Sequence, residues 1–168
     1  MQLLPPPPLL LLLLLLSSCS CARSIHINHT WVDCSSPASH GVFTSSSSFP
    51  DPIVAGENAT LSGYGRLDKA VTDGQITISV TVDGLPIPVQ PSVFPACGNS
   101  VVHWPLGLGS ILYDALACPT PRGNFTLSEL VNVPVLAPLG NYAVQLQGVD
   151  QDGEELLCVL SHIEITLF

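Results

Sequence analysis

The sequence predicts an all-β protein, an immunoglobulin-like sandwich of two antiparallel sheets. Three observations carry this. Residues 75–82 alternate without a fault, with Ile76, Ile78, Val80 and Val82 on one face and Thr77, Ser79 and Thr81 on the other, the period of a half-buried strand. Turn signals recur at short spacing, at Thr72-Asp73-Gly74, Asp83-Gly84 and Asp152-Gly153, the last two being strong hairpin dipeptides. No stretch carries a long helical period. Seven or eight strands are therefore expected, in a single domain.

Taken in order, the chain of 168 residues starts with Pro5 to Pro8 and an unbroken leucine run from Leu9 to Leu16. That run is short of the ~20 apolar residues a membrane-spanning helix needs. Ser20 and Ala22 suit the −3 and −1 positions of a signal-peptidase site, so residues 1–22 are expected to be a signal peptide and 23–168 the mature domain. The segment Leu16-Ser17-Ser18-Cys19 resembles a bacterial lipoprotein box, but the leader lacks the Lys or Arg that such a signal carries.

Residues 25–33 read as a first strand and 35–39 as a turn. Residues 41–49 read as a strand, ended by Phe49-Pro50-Asp51-Pro52, since proline lacks a ladder donor. Residues 58–67 put Ala59, Leu61, Gly63, Gly65 and Leu67 on one face, and the glycines predict a bend or bulge. After strand 75–82, residues 85–94 are extended and interrupted by proline, which fits a sheet edge. Residues 97–118 read as a long loop with one helical turn over 110–116. Residues 124–133, 141–148 and 155–168 are the closing strands, the last apolar on both sides as a central strand would be.

Composition excludes several functions. The formal charge is −9, and Arg23, Arg66, Lys69 and Arg122 are the only Lys or Arg residues, so no phosphate backbone can be neutralised by clustered cations. No nucleic-acid partner is expected. The hydrophobic share is 46% and the charged share 10%, which rules out a disordered chain. No Gly-x-Ser-x-Gly elbow is present, and the five histidines lack metal-ligand spacing. Asp150-Gln151-Asp152-Gly153 looks like a calcium loop, but its twelfth position is Ser161 rather than a bidentate Glu. Catalytic residues, metals and cofactors are all expected to be absent.

Loss of the leader removes Cys19 and Cys21 of the six cysteines and leaves Cys34, Cys97, Cys118 and Cys158. An even number in an exported chain points to two disulfides, and four cysteines allow three pairings. Sequons at Asn28, Asn58 and Asn124 fit the same export route.

An ordered set of residues then resembles a known family. Phe49-Pro50-Asp51-Pro52-Ile53-Val54, Gly56, Thr60-Leu61-Ser62, Gly65-Arg66-Leu67 and Asp73-Gly74 are similar to the first half of ML lipid-recognition domains. Cys118-Pro119, Gly123, Val133-Pro134-Val135, Pro138, Gly140-Asn141-Tyr142 and Leu156-Leu157-Cys158 resemble the second half. The likeness covers about residues 31–168. It extends to two branches, the Niemann–Pick type C sterol carriers with fungal phosphatidylglycerol/phosphatidylinositol transfer proteins, and the ganglioside activator proteins. The activator branch carries additional cysteines in the region 97–118 that this chain lacks.

The resemblance implies pairing of the first cysteine with the last, Cys34 with Cys158, and of Cys97 with Cys118. It implies a non-enzymatic carrier, a monomer, that holds a sterol or phospholipid in an apolar cavity between its sheets and touches membranes transiently. Such a carrier would be secreted or lodged in a lysosomal or vacuolar lumen. The alternatives it implies are an activator that presents glycolipid to a hydrolase, or an extracellular lipid-sensing module with a receptor partner. Tyr142, Val144 and Leu146 match cavity-facing positions, with Ile78, Val80, Phe94, Phe125, Val133 and Val135 as the opposite wall and rim. The competing expectation is that these side chains fill a closed core. Trp104, Leu106, Leu108, Ile111 and Leu112 would form an apolar loop tip that meets the membrane, or else pack down over the sandwich.

Overall fold

The alternating segment at 75–82 becomes β5 (Gly74–Val82), and its Ile76, Ile78, Val80 and Val82 are all buried between two sheets. The structure is a computed structural model that describes residues 29–83, 89–103 and 109–167. Among these residues the strands are β1 (Thr30–Asp33), β2 (Gly41–Phe49), β3 (Ile53–Val54), β4 (Asn58–Leu67), β5, β6 (Val89–Pro95), β7 (Asn99–His103), β8 (Ser110–Asp114), β9 (Gly123–Asn132), β10 (Gly140–Asp150) and β11 (Glu155–Thr166).

The first sheet runs β1-β11-β10-β5-β6, with the short β3 pairing parallel to the end of β11. The second runs β2-β4-β9-β8-β7. All other pairings are antiparallel. Alternation puts one face of each sheet inward, so a single core forms between them. β11 lies between β1 and β10, and its Leu156, Leu157, Cys158 and Val159 are buried in succession, beside the register shift at Gly148/Val149 of β10. The proline-interrupted β6 lies at the sheet edge, where a missing ladder donor costs least.

Two expectations are corrected. Within 97–118 the chain forms the β7–β8 hairpin pair, with Val102 opposite Ile111 and Ser100 opposite Tyr113. The run Ile111-Leu112-Tyr113 alternates inward, outward, inward, a strand period that a helical turn would not satisfy. The bulge expected from the glycines of β4 lies instead in its partner β2, between Phe43 and Ser45. Gly63 and Gly65 serve a different need. The rings of Phe43 and Phe125 lie directly on them, in the space a Cβ would occupy. The two rings meet edge-on at 6.0 Å between centroids.

Two disulfides form, Cys34–Cys158 and Cys97–Cys118. The first links the residue after β1 to β11, inside one sheet. With a sequence separation of 124, it removes roughly 4–5 kcal/mol of unfolded-chain entropy in the loop-closure model. The second joins the β6–β7 and β8–β9 connections at one end of the sandwich.

Candidate functional site

Between the sheets lies a cavity of about 40 Å³. Its walls are Phe43 and Ser46 of β2, Leu61, Ser62 and Gly63 of β4, and Leu127 and Glu129 of β9. Facing them are Val144 and Leu146 of β10 and Val159, Ser161 and Ile163 of β11. β9, β10 and β11 contribute alternate, inward-pointing residues from their middles, as the pleat requires, while β4 contributes three in succession. The cavity is therefore central along the strands and lies toward the β1 and β2 side of the sandwich.

Of the residues expected to line a cavity, Val144 and Leu146 are on its wall. Ile78, Val80, Phe94, Phe125, Val133 and Tyr142 are buried in the core but do not line it. Phe94 packs edge-on against Tyr113 at 5.0 Å, so the β5–β6 half of the sandwich is filled. The Tyr142 hydroxyl donates to the Pro138 carbonyl at 2.6 Å, which ties the start of β10 to the loop before it. Val135 is a correction. It is 70% exposed in the β9–β10 connection, because Pro134 ends the ladder and turns the chain out of the sheet.

The apolar loop tip divides in three. Trp104, Leu106 and Leu108 lie outside the described residues. Ile111 is a correction, since it is 1% exposed and belongs to the core, inward on β8. Leu112 points outward and is 41% exposed. It continues a row of apolar neighbours across the outer face of the second sheet, because Val101, Leu112 and Leu130 are consecutive register partners and all are exposed. Phe49, Val135, Leu136 and Leu139 add exposed apolar surface at the same end of the sandwich.

Sequence reasoning missed Glu129. It occupies the inward phase of β9, between Leu127 and Val131, a position where alternation calls for an apolar side chain. That phase was readable in the sequence. Glu129 is 9% exposed, and burial pushes its carboxyl up to about 7. Its neighbours across the ladder are Leu61 on β4 and Tyr113 on β8. Tyr113 is fully buried, and its hydroxyl has no hydrogen-bond partner among the described residues. Burial, with Glu129 and Asp114 nearby, holds that hydroxyl well above its usual range. Behind Ser46, His29 approaches the hydroxyl with Nε2 at 3.5 Å, and burial lowers its imidazole against the pull of Asp51.

A second polar cluster lies at the β10–β11 hairpin. His40, Asp150 and Glu154 place ligand-type atoms within 4.8 Å of one another. The Lys69 ammonium already occupies this cluster, 2.5 Å from Asp150, 2.7 Å from Glu154 and 3.2 Å from Asp152. His40 bridges Asp68 and Glu154 at 2.9 and 2.8 Å, and these two hydrogen bonds raise its imidazole. Burial pushes the Asp150 carboxyl up, but Lys69 and the backbone N–H groups of Asp152 and Glu154 outweigh it, so the net shift is downward. The arrangement is an internal ion-pair network with its own cation.

Comparison with known proteins fits this architecture. The ML domain model matches residues 17–165. The phosphatidylglycerol/phosphatidylinositol transfer protein of Mycosarcoma maydis is 30% identical over 110 residues, covering 66% of this chain and 52% of that protein. The Niemann–Pick type C2 protein from Japanese carpenter ant superposes with a TM-score of 0.55 at 15% identity, over 82% of this chain and 99% of that one. Chicken MD-1, solved in complex with lipid IVa, gives 0.53 at 13% identity, over 81% and 88%. A two-sheet sandwich with its cavity walls drawn from both sheets, and a family match across nearly the whole described chain, place this protein in the ML domain family.

Proposed function

We propose that this protein is a non-enzymatic lipid carrier that takes a sterol or phospholipid between its two sheets and moves it between membranes. The observation that carries the reading is the cavity itself. Eight of its twelve lining residues are Phe, Leu, Val, Ile or Gly, drawn from both sheets. Burying lipid tail there gains ~0.8 kcal/mol per CH₂. Pockets for such ligands measure ~300–1,000 Å³, so the present cavity of about 40 Å³ corresponds to a closed form, and loading requires the sheets to part. Among the described residues no disulfide spans the cavity. Cys34–Cys158 lies within one sheet, and Cys97–Cys118 joins connections at one end.

Entry is proposed at the other end, where Phe49, Val135, Leu136 and Leu139 are exposed and can enter a lipid surface. Residues 1–22 act as signal peptide and 23–168 as the carrier domain. Two disulfides favour an oxidising compartment, outside the cell or in a lysosomal or vacuolar lumen. The sequon residues Asn58 and Asn124 are exposed, as glycan attachment requires.

Native mass spectrometry of the protein purified from an oxidising secretory host tests the reading. One lipid per chain is expected. Glycolipid as the sole cargo would favour presentation to a hydrolase. Failure to extract any lipid from vesicles of mixed sterol, phospholipid and glycolipid would overturn the carrier reading.

A further inference from the structure

We propose that Arg66 and Arg122 form a second binding site, an oxyanion site for a soluble phosphate or sulfate group, on the outer face of the second sheet and apart from the lipid cavity. The two arginines line an open groove of about 390 Å³, with His40, Thr44 and Asp68 among its other walls. Ladder register brings them together. Arg66 of β4 stands opposite Asn124 of β9, and Arg122 is two residues before Asn124 on the same face. The arginines therefore take diagonal positions across adjacent strands, which lie ~7–8 Å apart and within reach of long side chains. Both guanidiniums can meet on one ligand.

The charge pattern sets this pair apart. The chain holds 13 Asp and Glu residues against four Lys and Arg, so acids are plentiful. Lys69 binds Asp150, Asp152 and Glu154 at once. Among the described residues neither Arg66 nor Arg122 has a salt bridge or a side-chain hydrogen bond. The acid on the groove wall, Asp68, is engaged by His40 at 2.9 Å. Two like charges held this close repel, and an anion between them turns that repulsion into attraction.

Side-chain chemistry narrows the ligand. A guanidinium presents a planar fork of donors that matches phosphate or carboxylate oxygens in pairs. Two forks and two positive charges suit a tetrahedral dianion, and a phosphate monoester has about two negative charges at neutral pH. A carboxylate has one charge and leaves one fork unused. The location favours a soluble source over a membrane-borne one. The groove lies at the end that holds Asp68 and Glu154, opposite the exposed Phe49, Leu136 and Leu139. That acid-rich end would be repelled by an anionic lipid surface.

Calorimetric titration at pH 7.5 and constant ionic strength tests the site. Every protein carries Asn124→Gln, because Asn124 shares the groove face and bears a sequon. The probes are inorganic phosphate, inorganic sulfate, glycerol 3-phosphate, acetate, and phosphatidylcholine vesicles containing phosphatidic acid. The parent is expected to bind one phosphate or sulfate per chain, and acetate about tenfold more weakly. Arg66→Gln and Arg122→Gln are each expected to weaken phosphate binding about tenfold or more, and Arg66→Lys, which keeps the charge but not the fork, by less. Both arginines are exposed, so without phosphate the variants should melt with the parent, and phosphate should raise the melting temperature of the parent most. Absence of phosphate and sulfate binding overturns the inference. Undiminished binding in both glutamine variants, or equal binding of acetate, overturns it as well. A response to the vesicles alone overturns the soluble source. Lipid loading of the cavity is independent of all these outcomes, so the carrier reading stands or falls by its own test.

Discussion

At one end of the sandwich Lys69 reaches Asp150, Asp152 and Glu154, His40 spans Asp68 and Glu154, and both disulfides close nearby. At the other, Phe49, Val135, Leu136 and Leu139 stand in solvent around loops that include Pro50, Pro52, Pro134 and Pro138. The first end joins the sheets. The 68–73 connection leaves the second sheet and is held by the hairpin of the first through Lys69. The second end has apolar surface where a soluble protein usually keeps polar side chains. The difference teaches that one fold can separate two surface chemistries: paired charges and both disulfides gather at one end, and exposed apolar side chains at the other. The cavity lies midway, with Glu129 as its one ionisable wall residue.

The largest effect should come from the stapled end. Replacing Cys34 and Cys158 together by serine is expected to cost roughly 4–5 kcal/mol in urea unfolding, and the Cys97/Cys118 pair, with a separation of 21, about 3 kcal/mol. Equal losses for the two pairs would show that loop length does not set what each bridge contributes.

Between the ends, Glu129→Gln should stabilise the fold. Glu129 titrates near 4.5 when unfolded and about 7 when folded. Well below pH 4.5 both states are protonated, so burial carries no ionisation cost. As pH rises from there to 7 only the unfolded state ionises, so stability falls and then levels off. Unfolding curves at pH 8 should therefore favour the glutamine variant by about 3 kcal/mol, and the gap should close at pH 4.

A smaller loss is expected for Lys69→Met, since its ammonium is partly exposed. Asp150 has its carboxyl lowered in the folded state, so its stabilisation is present above the usual carboxylate range and is lost as pH falls through the lowered value. Thermal melts of wild type and variant should differ at pH 7 and converge in acid. Convergence at neutral pH instead would show that the network contributes nothing.

The smallest change in stability belongs to the apolar end. Leu136→Asp removes a side chain that is 93% exposed, so unfolding should shift by no more than ~0.5 kcal/mol. Lipid transfer between vesicles should nonetheless slow severalfold. Unchanged transfer would sever the link between the apolar end and membrane contact.

Much of the fold was legible because it depends on local pattern. The alternation of 75–82 predicted β5, prolines predicted an edge at β6, and apolar residues on both sides predicted a central β11. Strand period is set by backbone geometry, and burial then follows residue by residue. The resemblance to the ML domain family carried the cysteine pairing, which spacing alone left open among three arrangements.

Tertiary structure decided what depends on neighbours distant in the chain. Whether Ile111 lies in a loop tip or in the core turns on its pairing with Val102. The glycines of β4 read as a bend, yet their role is to accept two phenylalanine rings from adjacent strands. Cavity position turns on which half of the sandwich packs tightly, and Phe94 against Tyr113 fills the half that contained most of the expected wall. By itself the sequence determined strand periodicity, turn positions and the inward phase that Glu129 occupies, because these follow from local chain geometry. Only the assembled sheets determined that this carboxyl meets a cavity and finds no partner, because that depends on what five other strands bring to face it.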